Sequence, residues 1–268
     1  MNQLTDALIF IHIPKTAGST LHRIIYRHYS ADTLYHTDRR PHGWRAFTRW
    51  PKARRAKIQL LMGHIEMGSA AFLPQPAHYF TMLRNPIRRA ISYYSHVRRI
   101  TDHYCHDLVH EQKMSLADFA RSGADVMMDN GQTRMLAGVL YDIPYGQLTT
   151  AVLDKAKQNL EQCLLVGLAE QFDQSLLLMG WLFGWRNLFY ARRNVSPKRV
   201  QPNANTLAAL AKVNHLDRAL YAHGADLLAQ QWTRWGSDAA LRRFQWLNRL
   251  LRPFYYYGGE VKQRLRSG

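Results

Sequence analysis

The chain has 268 residues, 47% hydrophobic and 21% charged, which places it among globular proteins and excludes a disordered or fibrous one. Lysine and arginine outnumber aspartate and glutamate by 36 to 19, and the net charge of +17 points to an anionic partner. Two cysteines, Cys105 and Cys163, cannot frame a chain of this length with disulfides and have no metal-type spacing, so a zinc module is excluded.

The longest strongly apolar run, residues 176–185, is too short for the ~20 residues of a helical membrane span. The opening residues MNQLTD lack the basic region of a signal peptide, so the expectation is a soluble protein in the reducing cytoplasm. In chain order, residues 7–13 (ALIFIHI) read as a parallel strand buried on both faces. A turn over 14–19 follows, then a helix over 20–29. A second strand is expected over 58–62, ending at Gly63-His64, and a third over 79–83, ending at Arg84-Asn85-Pro86. Asn85 is placed to cap a helix that starts at Pro86 and runs to about Arg99. A fourth strand is expected over 164–168, with a helix from Glu170 onward, and a fifth over 188–191. From Asn205 the pattern is helical, ending in a basic amphipathic helix over 237–251. Alternating strands and helices predict an α/β fold with a central parallel sheet between helical layers and a helical C-terminal region. The domain division is 1–236 for the body and 237–268 for the basic tail.

The first strand–turn–helix places Lys15, Thr16, Ala17, Gly18, Ser19 and Thr20 beyond the carboxyl end of a strand, where parallel sheets bind ligands. Ala17 and Gly18 let an anion approach the backbone, and the helix start directs N–H groups at it. Lys15 adds charge, and Ser19 and Thr20 add hydroxyls. The lysine precedes the glycine, so this is not a Walker A loop, and an ordinary βα connection remains the alternative. The whole string Ile11-His12-Ile13-Pro14-Lys15-Thr16-Ala17-Gly18-Ser19-Thr20 resembles the 5′-phosphosulfate loop of carbohydrate sulfotransferases that use 3′-phosphoadenosine 5′-phosphosulfate (PAPS). The likeness is greatest to the uronyl 2-O-sulfotransferase branch of bacterial type. The resemblance implies a P-loop-like fold, contact of Lys15 with the bridging oxygen of the phosphosulfate, and a 5′-phosphate held by residues 16–20.

Residues 79–94 resemble the 3′-phosphate motif of the same family, with Arg84 at the strand end and Ser92 eight residues later on the helix. A planar guanidinium and a hydroxyl suit a dianionic phosphate. Arg88 and Arg89 read as a solvated helix face. The family's proposed base is a Gly-His at this point in the chain, which implies His64; an imidazole titrates in general near neutrality and accepts a proton from a sugar hydroxyl. Glu66 is the rival base, and His12 reads as a satisfied core histidine. By the same resemblance, Arg193, Ser196 and Lys198 contact the donor and Gln132 and Arg134 meet the acceptor, with structural capping as the alternative.

The implied activity is in-line transfer of a sulfuryl group from PAPS to a carbohydrate or glycolipid hydroxyl. No metal is expected, because the transferred group carries one negative charge and no aspartate is expected at a strand end. Two other readings stay open: an ATP-dependent P-loop phosphotransferase, and a basic protein binding nucleic acid or a membrane surface. In the preferred reading there is no nucleic-acid partner. The tail either packs on the body or rests on the anionic inner surface of a membrane.

Overall fold

The computed structural model describes residues 6–39, 43–191 and 201–264, with side chains at all of these except 39 and 256–264. Five strands, β1 (Ala7–Ile11), β2 (Leu34–His36), β3 (Leu60–Gly63), β4 (Ala77–Leu83) and β5 (Leu165–Leu168), form one parallel sheet in the order β2-β3-β1-β4-β5. Every residue of β1, β2, β3 and β5 is buried, as required of strands covered on both faces.

Twelve α-helices surround the sheet in the described residues. They are α1 (Gly18–Ile25), α2 (Gly43–Thr48), α3 (Lys52–Arg55), α4 (Pro86–Val97), α5 (His106–Glu111), α6 (Leu116–Arg121), α7 (Gly131–Ala137), α8 (Thr150–Glu161), α9 (Phe172–Phe183), α10 (Ala204–Val213), α11 (His215–Trp235) and α12 (Asp238–Arg264). The expected α/β architecture is present. From β1 the chain crosses toward β2, and from β4 it crosses the other way to β5. The reversal therefore falls between the neighbouring carboxyl ends of β1 and β4, the point where open parallel sheets leave a crevice for ligands.

Two expectations about elements are corrected. Residues 188–191 are not a strand. Their polar backbone is taken by side chains, with Arg27 donating to the carbonyl of Phe189 and the amide of Tyr190 donating to Asn248, so no strand ladder forms. The fifth strand is instead β2, three residues long and too short to show a period. Arg89, expected on a solvated face, is 0% exposed: its guanidinium donates to the carbonyl of Met127 and lies 3.9 Å from Asp217. The cap at α4 is as expected, with Asn85 accepting from the amide of Arg88 and Pro86 opening the helix.

Candidate active site

The loop after β1 is built from unusual backbone. Lys15 (φ 72°) and Ala17 (φ 75°) both adopt the left-handed region, which costs a non-glycine residue ~1 kcal/mol or more. Buried Thr16 between them is pinned by its hydroxyl, which donates to the carbonyl of Ile13 at 2.8 Å. Gly18 has to lack a side chain, because a Cβ there would stand 2.1 Å from Nε2 of His12. Left-handed residues in such a turn create the concave backbone that binds anions. No other described residue engages the amides of Lys15, Thr16, Ala17, Gly18 or Ser19, so they are available to a ligand. Burial pushes the Lys15 ammonium down to about 8, with Arg99 and Arg84 adding to the effect. Burial, Lys15, His103 and Arg99 together lower His96 to about 4. The crevice thus concentrates cations. Arg99 was not singled out in the sequence, because nothing in a helix pattern shows which turn faces the loop.

Arg84 joins the two turns. Its guanidinium donates to the carbonyl of Lys15 at 2.9 Å, and its own backbone is held on both sides by Gln132, whose amide oxygen accepts from the Arg84 N–H and whose amide nitrogen donates to the Arg84 carbonyl, each at 2.9 Å. Neighbouring strands fix the same junction lower down, where Thr81 donates to the carbonyl of Ile11. Lys15 and Arg84 therefore share one rim. Ser92 lies partly buried about two turns into α4.

On the other side of β1, the end of β3 carries His64. Its side chain is 44% exposed, its ring stacks on His12 at 5.0 Å, and its Nδ1 lies 3.3 Å from Oδ2 of Asp38. The His64 amide donates to the other oxygen of that carboxylate at 2.9 Å, and the Thr37 hydroxyl donates there too. Asp38 comes from the turn after β2 and was missed in the sequence, since three residues of strand gave no warning that an edge strand ends there. It corrects the expectation that no aspartate stands at a strand end. Gly63 (φ 143°) makes the approach feasible: a Cβ would lie 1.8 Å from Oγ1 of Thr37.

His12 and His36 also face the carboxylate, at 3.8 and 3.5 Å, and His22 packs edge-on against both rings. His12 is accordingly a rim residue facing Asp38, not a satisfied core histidine. Burial raises the Asp38 carboxyl, but the neighbouring His12, His36 and His64 outweigh that and hold it well below the usual carboxylate range. At 3.3 Å an ionised Asp38 favours the tautomer with the proton on Nδ1 of His64, an assignment that makes Nε2 the lone-pair nitrogen.

Glu66 is exposed, with its carboxyl raised by burial and by Asp142. It lies near α7, 3.7 Å from where a side chain at Gly138 would begin. Gln132 and Arg134 do not meet an acceptor. Both are 0% exposed. Gln132 is spent on Arg84, and Arg134 donates to Asp129 and to the carbonyls of Asp129, Ile143 and Pro144. Their segment is a staple: Asp217 accepts from the amides of Gln132 and Thr133 at the start of α7, while Asn130 accepts from the amides of Leu216 and Asp217 at the start of α11. The capping alternative is what the structure shows. Arg193, Ser196 and Lys198 lie outside the described residues.

Two groups among the described residues have donor atoms within 4.8 Å of one another, close enough to share a metal ion: His12, Asp38 and His64, and His103, Cys105 and Asp125. In the second group His103 already accepts from the amide of Cys105 and contacts the Tyr93 hydroxyl.

The chain is 25% identical over 274 residues to human heparan-sulfate 6-O-sulfotransferase 1, covering 85% of this chain and 66% of the human protein. It is 24% identical to human heparan-sulfate 6-O-sulfotransferase 2, covering 85% of this chain and 45% of that protein. The chain thus spans two thirds or less of these relatives' length. A crystal structure of mouse sulfotransferase SULT7A1 complexed with PAP aligns with a TM-score of 0.39 at 15% identity, over 82% of this chain and 67% of that one. The family described as galactose-3-O-sulfotransferase matches residues 2–252, nearly the whole chain, and to that family the chain belongs.

Proposed function

We propose that the protein transfers a sulfuryl group from PAPS to a hydroxyl of a carbohydrate. The observation that carries this reading is the bond from Arg84 to the Lys15 carbonyl, which sets these two residues on one rim. Lys15 and the free amides of residues 15–19 receive the 5′-phosphosulfate, Arg84 and Ser92 receive the 3′-phosphate, and residues 193, 196 and 198 supply further donor contacts.

His64 Nε2 removes the proton from the acceptor hydroxyl, the alkoxide oxygen bonds to sulfur, and the bond from sulfur to the bridging oxygen breaks. Adenosine 3′,5′-bisphosphate leaves with the electron pair. Asp38 fixes the tautomer and stabilises the imidazolium. Lys15 and the loop amides stabilise charge growing on the bridging oxygen, a contribution of ~3–4 kcal/mol per donor. Glu66 stands on the acceptor side. The transfer proceeds without a metal, since Asp38 and His12 serve His64 and the moving group carries a single negative charge. Activity retained in a strong chelator is the expected result, and its loss with recovery on adding zinc would reassign the His12–Asp38–His64 group.

The relatives' names point to sugar hydroxyls at different positions, and the loop string resembles the uronyl 2-O branch. Sulfate transfer is therefore to be measured on acceptors offering a galactose 3-hydroxyl, a glucosamine 6-hydroxyl or a uronate 2-hydroxyl, free and lipid-linked. For the donor, adenosine 3′,5′-bisphosphate is expected to raise the melting temperature where ATP with magnesium and duplex DNA do not. A larger shift with ATP and magnesium would favour phosphoryl transfer.

A further inference from the structure

The geometry of α12 points to a second surface: we infer that its outer face lies flat on an anionic lipid bilayer. The helix is 27 residues long, about 40 Å at 1.5 Å per residue. Its inner face is docked. Phe244 is buried and stacks on Phe189 at 5.6 Å, Asn248 accepts from the amide of Tyr190, and the Tyr255 hydroxyl donates to Asn187. Arg27 covers the Tyr255 ring at 4.7 Å.

The outer face is apolar where a soluble helix would be polar. Trp246 is 60% exposed, Leu250 53% and Phe254 72%. Their spacing of four residues sets them in one stripe along the helix. Exposed Arg242, Arg243, Arg249 and Arg252 accompany them, and residues 239–255 contain no acidic side chain. The first-turn acid, Asp238, already accepts from the Trp232 indole. An apolar stripe edged by arginines on a helix anchored along its opposite face is the arrangement that sits at the headgroup boundary of a negatively charged leaflet. Charge complementarity selects that occupant: a second copy packed face to face would bring four more arginines per helix, and residues 239–255 hold no acid to meet them. None of the described helices is long and apolar enough to cross a bilayer, so the contact is peripheral. This inference does not depend on the catalytic reading.

The test is partition of the full chain onto phosphatidylcholine vesicles with and without phosphatidylglycerol. Binding is expected on the anionic vesicles only, and it weakens as salt rises. Arg242→Gln/Arg243→Gln/Arg249→Gln should lower the partition coefficient by roughly a hundredfold, from about fivefold per cation. Leu250→Ser/Phe254→Ser should abolish insertion, read as lost quenching of Trp246 by brominated acyl chains. Both variants change exposed positions only, and an unaltered unfolding transition certifies each fold. Equal binding to neutral vesicles, no vesicle binding, or a concentration-dependent dimer that the serine variant dissolves would each overturn the assignment.

Discussion

Asp38→Asn separates a positioning role from a merely structural one. The carboxylate oxygen lies 3.3 Å from Nδ1 of His64, a ring 44% exposed. With an effective dielectric of about 40, between protein and water, one unit of charge at that distance is worth about 2.5 kcal/mol to the imidazolium formed in the transition state. That alone is roughly a 70-fold loss in kcat. An asparagine can also turn its amide nitrogen toward Nδ1 and leave the proton on Nε2, the wrong nitrogen for a base, so the expected fall is about 10² to 10³. The asparagine oxygen still accepts from the amide of His64 and from Thr37, so the turn should persist. The assay is sulfate transfer under saturating donor, paired with the affinity for adenosine 3′,5′-bisphosphate, which should stay within about twofold because the donor loop is untouched. The decisive measurement is the cycle with His64→Ala, itself expected to cost about 10² to 10⁴. If Asp38 works through the ring, Asp38→Asn on the His64→Ala background costs almost nothing more. Additive losses, or an unchanged kcat in Asp38→Asn, would refute the dyad.

Three further outcomes follow from the same geometry. Arg84→Ala should weaken adenosine 3′,5′-bisphosphate by at least about tenfold, and adenosine 5′-monophosphate much less, in titration calorimetry, since a charged hydrogen bond to the 3′-phosphate is lost; equal losses would remove Arg84 from the 3′ site. The ammonium of Lys15 sits at about 8 in the free protein, held down first by burial and then by Arg99 and Arg84. A bound anion favours its charged form, so affinity for the bisphosphate should be level below that pH and fall as pH rises through it. Lys15→Ala should flatten this dependence, and a slope that survives in the variant assigns it elsewhere. Arg134→Ala should destabilise the protein by about 3–5 kcal/mol in denaturant unfolding, because Asp129 is left buried without its cation; a loss below about 1 kcal/mol would return Arg134 to the acceptor-contacting role first expected of it.

The acidic side of the stability curve has its own sign. His12, His28, His96 and His103 all have lowered values, with burial the leading cause in each. The unfolded chain binds protons that the folded one refuses, so stability is complete above the ordinary histidine range and declines as pH falls through it.

Chemistry that sits on one stretch of chain was legible in the sequence. The apolar run of β1, the small residues at Ala17 and Gly18, the cap at Asn85 and the proposed anion-binding residues Lys15 and Arg84 each follow from short-range rules, because a strand end and the helix after it are neighbours in sequence as well as in space. Whether two such ends meet is decided by strand order, and only the placement of β4 next to β1 lets Arg84 reach the carbonyl of Lys15. Asp38 belongs to the same class: it reaches His64 across 26 residues, through a three-residue edge strand with no readable period. Burial was equally a tertiary matter. Arg89, Gln132 and Arg134 look like surface or acceptor-facing groups in a linear pattern, yet packing of α4, α7 and α11 encloses all three and turns each toward main-chain carbonyls inside the protein. A sequence carries the chemical capacity of each side chain, whereas the partner that uses it up is chosen by contacts between segments far apart in the chain.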